Sequence, residues 1–240
     1  MLSLAACQMK KGTSRPAPKR KQTQQAKPVK KSKPELPPQF SSMETTSLKL
    51  YGTDFKDWNE AQALNNQLKS DWDALKKELQ TAKAPQDKQA EVDTHLSAID
   101  KAVKAKSQFE LAEHANELID ALQELTKKYK TITPPEVITA QTDLREIQLH
   151  VGSGDWTILK DLSKKTQKDW KKLAPKAQKA GAKSTGENLQ GYFKELDTAI
   201  KDKDVKKAQT VVGLMNTDLA NLRMAMEKQG QQKSGGKSGS

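Results

Sequence analysis

Apolar residues between positions 48 and 227 recur at helical rather than strand spacing. Trp58 and Trp72 lie two heptads apart, and reading Trp58 as position a puts Ala61, Leu68, Trp72, Leu75 and Leu79 on one a/d stripe. Trp156, Leu159, Trp170 and Leu173 repeat that stripe, while Lys160, Lys164, Lys165, Lys168, Lys171 and Lys172 fall at outer positions and read as a solvated face. Val92, Leu96, Ile99 and Val103 step by four, three and four residues, and Leu111, Leu118, Ile119, Leu122, Leu125 and Tyr129 follow. In the later half, Leu189, Tyr192, Phe193, Leu196 and Ile200 precede Val205, Ala208, Val212, Met215, Leu219 and Leu222. Pro85, Pro134-Pro135 and Gly181 with Gly186 mark the breaks. Shorter helices near 42–51 and 136–151 lead into each half, with Leu48-Lys-Leu-Tyr51 and Ile147-Gln-Leu-His150 in equivalent places.

The tryptophans also carry a repeat. Asp57-Trp58 and Asp71-Trp72 are separated by twelve residues, as are Asp155-Trp156 and Asp169-Trp170, and Leu64 and Leu75 match Leu162 and Leu173 at the same offset of 98. Ile99-Asp-Lys-Ala-Val-Lys-Ala-Lys106 matches Leu196-Asp-Thr-Ala-Ile-Lys-Asp-Lys203 at an offset of 97. The predicted fold is therefore all-α: two tandem related helical units, 41–131 and 132–229, packed as one elongated bundle or as two linked ones. Asp57 and Asp155 open their amphipathic runs and suit an N-cap or first-turn acid. Asp71 and Asp169 fall mid-helix, where a structural role is weighed against a cation-binding carboxylate cluster between the halves. No imidazole or thiolate accompanies them in sequence, which favours structure.

Composition supports helix, because Ala, Leu, Lys, Glu and Gln dominate residues 48–227. The formal net charge of +12 resides mostly in the tails. Residues 8–47 carry ten Lys/Arg against Glu35 and Glu44, and 228–240 add Lys228, Lys233 and Lys237, leaving only +1 for residues 48–227. Residues 8–40 hold six of the ten prolines among Lys, Gln and Ser, so they read as a disordered, basic, partly polyproline spacer. Such a spacer reaches about 30 Å as a coil and about 110 Å fully extended. A second disordered tail is expected at 230–240.

Cys7 is the only cysteine, so an intramolecular disulfide is impossible. Leu4-Ala5-Ala6-Cys7 is followed at once by polar residues and resembles the lipobox of bacterial lipoproteins, in which a processed Cys becomes the acylated N-terminus. The charged and apolar regions of a signal peptide are not present ahead of it, which places the natural start upstream; the alternative is an ordinary thiol. The resemblance implies an extracytoplasmic protein anchored to the bacterial cell membrane through Cys7, with residues 1–7 the remnant of the signal. Beside a lipid, Lys10, Lys11, Arg15, Lys19, Arg20, Lys21, Lys27, Lys30, Lys31 and Lys33 attract anionic headgroups or wall polymers, or merely keep a linker soluble.

Catalytic and cofactor signatures are missing. His95, His114 and His150 fall on three predicted helices, Glu110 with His114 has the wrong spacing for a di-iron bundle, and no Cys-x-x-Cys-His or His-Glu-x-x-His occurs. Gly152-Ser-Gly154 lacks the strand and lysine of a phosphate loop. The expectation is a non-enzymatic protein with no cofactor and no metal, acting as a scaffold or binding module toward a protein or envelope polymer. The alternatives are a polyanion binder, using the tether and a Lys-rich helix at 160–183, and a small-ligand or metal binder between the Trp pairs. Few aromatics are free for base stacking, which argues against nucleic acid.

Overall fold

The computed structural model describes residues 33–235, with side chains placed through Gly230. Among them are eight helices: α1 (Pro38–Gly52), α2 (Trp58–Thr81), α3 (Gln86–Ala105), α4 (Gln108–Thr126), α5 (Pro135–Ser153), α6 (Trp156–Lys179), α7 (Lys183–Asp202) and α8 (Val205–Gly235). α1 packs on α2 and α4, and α3 packs on the same two, so the first four helices close a ring; α5 to α8 close a second in the same order. Two-residue connections at 106–107 and 203–204 set their flanking helices antiparallel. The all-α expectation holds, and the two rings of helices pack together within one compact unit. One apolar cluster is built from α1–α4 with Phe55 and Tyr129, and a separate one from α5–α8.

The heptad reading places the core on α2, where Ala61, Leu68, Trp72, Leu75 and Leu79 are all buried. Three polar residues join the same stripes: Asn65 on α2, and Ser163 and Thr166 on α6. Asn65 and Ser163 each find a carboxylate on the neighbouring helix. Asn65 Nδ2 donates to Asp100 Oδ1 at 3.0 Å, and Ser163 Oγ donates to Asp197 Oδ1 at 2.8 Å. The helix ends also correspond. Lys106 and Lys203, both at φ 55°, terminate α3 and α7 in the left-handed region, and the next residues donate back to Ala102 and Ala199. Lys83 and Gly181 play that part after α2 and α6.

Several expected boundaries move. α1 begins at Pro38, and Leu36 and Phe40 pack into the first core, so the spacer does not extend to 40. Proline at the first helical position and two apolar side chains account for this. The Lys130 amide donates to the Pro34 carbonyl at 2.8 Å, tying the entering chain to the α4–α5 connection. α8 continues to Gly235 rather than stopping at 229, and Gln229 Nε2 donates to the Lys179 carbonyl at the end of α6. Gly186 lies inside α7 and is not a break, while α6 runs through Pro175. Leu48 is exposed whereas Ile147 is fully buried, so the lead-in helices correspond as elements but not in the register first drawn. No helix among the described residues is long and apolar enough to cross a membrane.

α4 and α5 join the bundles. α4 is buried on two faces, and Ala112, Ile119 and, on α5, Ile138 are buried without belonging to either core cluster. A polar network reinforces this seam. Arg145 Nε donates to Asn116 Oδ1 at 2.8 Å, Asn116 Nδ2 donates to the Thr142 carbonyl at 2.9 Å, and the Tyr51 hydroxyl donates to the Arg145 carbonyl at 3.1 Å. The Arg145 guanidinium lies 5.9 Å from the Tyr51 ring centre. Burial pushes the Tyr51 phenol up to about 12 and pulls Arg145 down to about 10.

Candidate functional site

The α4–α5 seam opens into a groove of about 490 Å³, walled by α3, α4, α5 and α6. Glu91, Glu117, Asp120, Glu124, Asp143 and Glu146 line it, against Lys88 and Lys165. Each lysine is held by one of those acids: Lys88 by Glu91 at 2.6 Å and Lys165 by Asp143 at 2.7 Å. The near-neutral average over residues 48–227 therefore hides a local excess of negative charge.

His95 lines this groove, and His114 joins it at Glu117. α3 and α4 form a hairpin about residues 106–107, and antiparallel packing brings His95 level with Glu117, each eleven residues from position 106. One turn earlier on α4, His114 shares the face of Glu117. His114 Nδ1 lies 2.8 Å from Glu117 Oε2 and forms a hydrogen bond, and His95 Nδ1 lies 3.2 Å from the same oxygen. The His95 approach is off the line of a hydrogen bond, and its buried Nδ1 has no other partner. The approach of His95, then the hydrogen bond from His114, holds the Glu117 carboxyl below the usual carboxylate range, against the effect of its burial.

A second group lies across the seam. Glu113 of α4 sits with Glu146 and His150 of α5, and His150 Nε2 is 3.3 Å from Glu146 Oε1. His150 is buried, with its ring edge-on to Phe109 at 5.7 Å. Burial first, and then the charges of Glu117 and Glu146, push the Glu113 carboxyl up. Asp143 is also pushed up by burial, because only one of its oxygens meets Lys165 and the other is buried without a partner.

The residues singled out from sequence are dispersed. Cys7 and Lys10, Lys11, Arg15, Lys19, Arg20, Lys21, Lys27, Lys30 and Lys31 lie outside the described residues. Lys33 Nζ donates to the Lys127 carbonyl at 2.7 Å. Asp57 caps α2 through the Asn59 amide, and Asp155 caps α6 through that of Ile158. Asp71 accepts from Ser42 of α1 and from Gln67, and Asp169 pairs with Lys172, so neither enters a cation cluster between the halves. Trp58 and Trp156 are half-buried. Trp72 is buried with its indole N–H on Asp93 at 2.7 Å; Trp170 is buried beside a separate groove between α6 and α7. Of the nine lysines in 160–183, Lys164, Lys165, Lys172, Lys176 and Lys183 stand in ion pairs, which neutralises much of that face.

The sequence does not show these histidine groupings, because the three histidines fall on three different helices. Two signals were present: His114-x-x-Glu117 and Glu146-x-x-x-His150, both at one-turn spacing. The two-residue turn after α3 then supplies His95. Comparison with known proteins found no family model, no curated protein and no solved structure that matches the chain.

Proposed function

We propose that the chain is a non-enzymatic, envelope-anchored lipoprotein that serves as a binding module, with the groove between its two bundles as the receiving surface. The observation that carries this reading is the convergence of six carboxylates and only two lysines, each already paired, on one groove. Such a surface favours a cationic partner, such as a Lys/Arg-rich protein segment, and repels polyanions. The two units descend from one duplicated helical hairpin pair, as the offsets of 98 and 97 and the matching Asn65–Asp100 and Ser163–Asp197 pairs suggest. Cys7 carries the lipid, the basic stretch from Lys10 to Lys31 is drawn to the anionic surface, and the length of the spacer lets the bundles stand clear of it.

Two measurements test this. With the natural start restored, Cys7→Ser is expected to release the protein from the membrane fraction; retention after a high-salt wash defeats the anchor. A photo-crosslinking residue at Glu124, inside the groove, is expected to trap one protein species in intact envelopes, whereas the same probe at exposed Glu60 traps none. Deleting residues 8–32 should leave the Glu124 yield unchanged. Crosslinking that requires those residues, follows ionic strength and shows no preference among polyanions would instead establish polyanion binding through the tether.

A further inference from the structure

We propose that His95, His114 and Glu117 form a binding site for a divalent transition-metal ion of the zinc class, open to solvent at one coordination position. One ligand atom from each of the three lies within 4.8 Å of the other two. The two imidazole nitrogens already stand 3.2 Å and 2.8 Å from the same Glu117 oxygen. Zinc bonded to nitrogen and oxygen at about 2.0–2.2 Å sets neighbouring ligands roughly 3.3 Å apart, so most of the required convergence is in place. Two imidazoles with a carboxylate suit zinc, cobalt, nickel or copper, whereas calcium and magnesium take oxygen sets.

Three further features favour an ion over a simple carboxylate between two histidines. First, one oxygen is asked to serve two nitrogens, and the His95 Nδ1 is left buried and unpartnered. A metal at the centre would engage all three groups. Second, the site is held by rigid elements: the three residues lie on α3 and α4, joined by the two-residue turn at 106–107. Third, the groove supplies compensating charge, since Asp120 of α4 and Glu146 of α5 line the same groove as His95 and Glu117. The site is also accessible, with the three side chains 22%, 29% and 38% exposed. The neighbouring Glu113–Glu146–His150 group offers a single imidazole and spans the seam, which suits an inter-bundle tie better than a zinc site.

The inference goes beyond partner binding and is read without any partner. Full-length, tag-free protein carrying Cys7→Ser, which removes the only thiol, is stripped with EDTA and titrated with ZnCl2 by calorimetry and with Co2+ by visible absorption. One saturable equivalent per chain is expected, with cobalt bands of a low-symmetry, nitrogen-containing site. His95→Gln, His114→Gln and Glu117→Gln should each weaken binding more than about tenfold, since even outer partners of a metal ligand cost 10- to 100-fold. His150→Gln should leave it unchanged. Folding of each variant is checked by metal-free circular dichroism. A readout that needs no variant accompanies these: zinc should protect His95 and His114 from diethyl pyrocarbonate, scored by mass spectrometry. Absence of saturable binding, binding that survives both His95→Gln and His114→Gln, loss in His150→Gln alone, or modification of His95 and His114 at the same rate with and without zinc overturns the proposal.

Discussion

At the scale of single residues, matched positions in the two halves do different work. Trp72 is closed in by its own bundle, with its indole N–H on Asp93 and Lys76 Nζ 5.4 Å from its ring. Trp170 borders an open groove, and Gly186 faces its ring where a larger residue would fill space. Trp72→Ala should therefore cost about 3–5 kcal/mol, and Trp170→Ala a value near the lower end of that range, measured by chemical denaturation. Unchanged melting of Trp170→Ala with loss of a small ligand would instead mark the α6–α7 groove as a binding site. Asp143 gives a prediction with a pH sign. Its carboxyl is pushed up in the folded state by burial, so folding favours the protonated form. The charged form is a liability above the folded pKa, and the penalty is relieved as pH falls through that value. Asp143→Asn should raise stability at neutral pH by about 1 kcal/mol, the scale of an unsatisfied buried polar group. Parallel melting curves of both proteins should converge on acidification, and a constant difference at all pH values contradicts the assignment.

At the scale of helices, the heptad pattern was legible because burial follows spacing: every apolar a/d position from Ala61 to Leu79 is buried in α2. The polar members of the stripe were not legible, because the partners of Asn65 Nδ2 and Ser163 Oγ are Asp100 and Asp197, residues 35 and 34 positions away on the next helix. Hydrogen bonds from Lys104 and then Lys69 hold the Asp100 carboxyl well below the usual carboxylate range, so this partner remains ionised beside Asn65. Gly186 suggests a break in the sequence, yet it lies inside α7, where a Cβ would meet the Trp170 ring only at an ordinary 3.7 Å, so neither termination nor close packing requires a glycine there. The helix ends carry correctable strain. Lys106 and Lys203 occupy left-handed backbone at φ 55°, a conformation glycine adopts without steric penalty. Lys106→Gly and Lys203→Gly should each stabilise the fold by about 0.5–1 kcal/mol, a balance of relieved strain against unfolded-state entropy. Thermal melting of the single and double variants checks this, and the two effects should add, since the sites belong to different bundles. A loss of stability at both would mean that the lysine side chains, not the turns, are what matters there.

At the scale of the whole molecule, sequence and structure part company at the seam. The helices and their order follow from periodicity, whereas the groove follows from which faces of α4 and α5 meet, and helical spacing alone does not select those faces. α4 shows the difficulty, since it is buried toward its own core through Leu111, Leu118, Leu122 and Leu125 and toward α5 through Ala112 and Ile119. A receiving groove needs walls that hold their spacing, so coupling between the bundles is a functional quantity as well as a structural one. If one bundle unfolded alone, the other would expose Ile119 or Ile138 and strand part of the Arg145–Asn116–Tyr51 network, an outcome that penalises the half-folded state. The intact chain is therefore expected to melt in one calorimetric transition whose van't Hoff and calorimetric enthalpies agree. Ile119→Ala combined with Ile138→Ala removes the two large apolar side chains of the seam at about 2–5 kcal/mol per site, without touching either core cluster. In that variant the transition should split in two, and zinc, held within the first bundle by α3 and α4, should raise only one of them. Two resolved transitions in the unmodified chain would show that the bundles fold independently and that the groove is not a rigid surface.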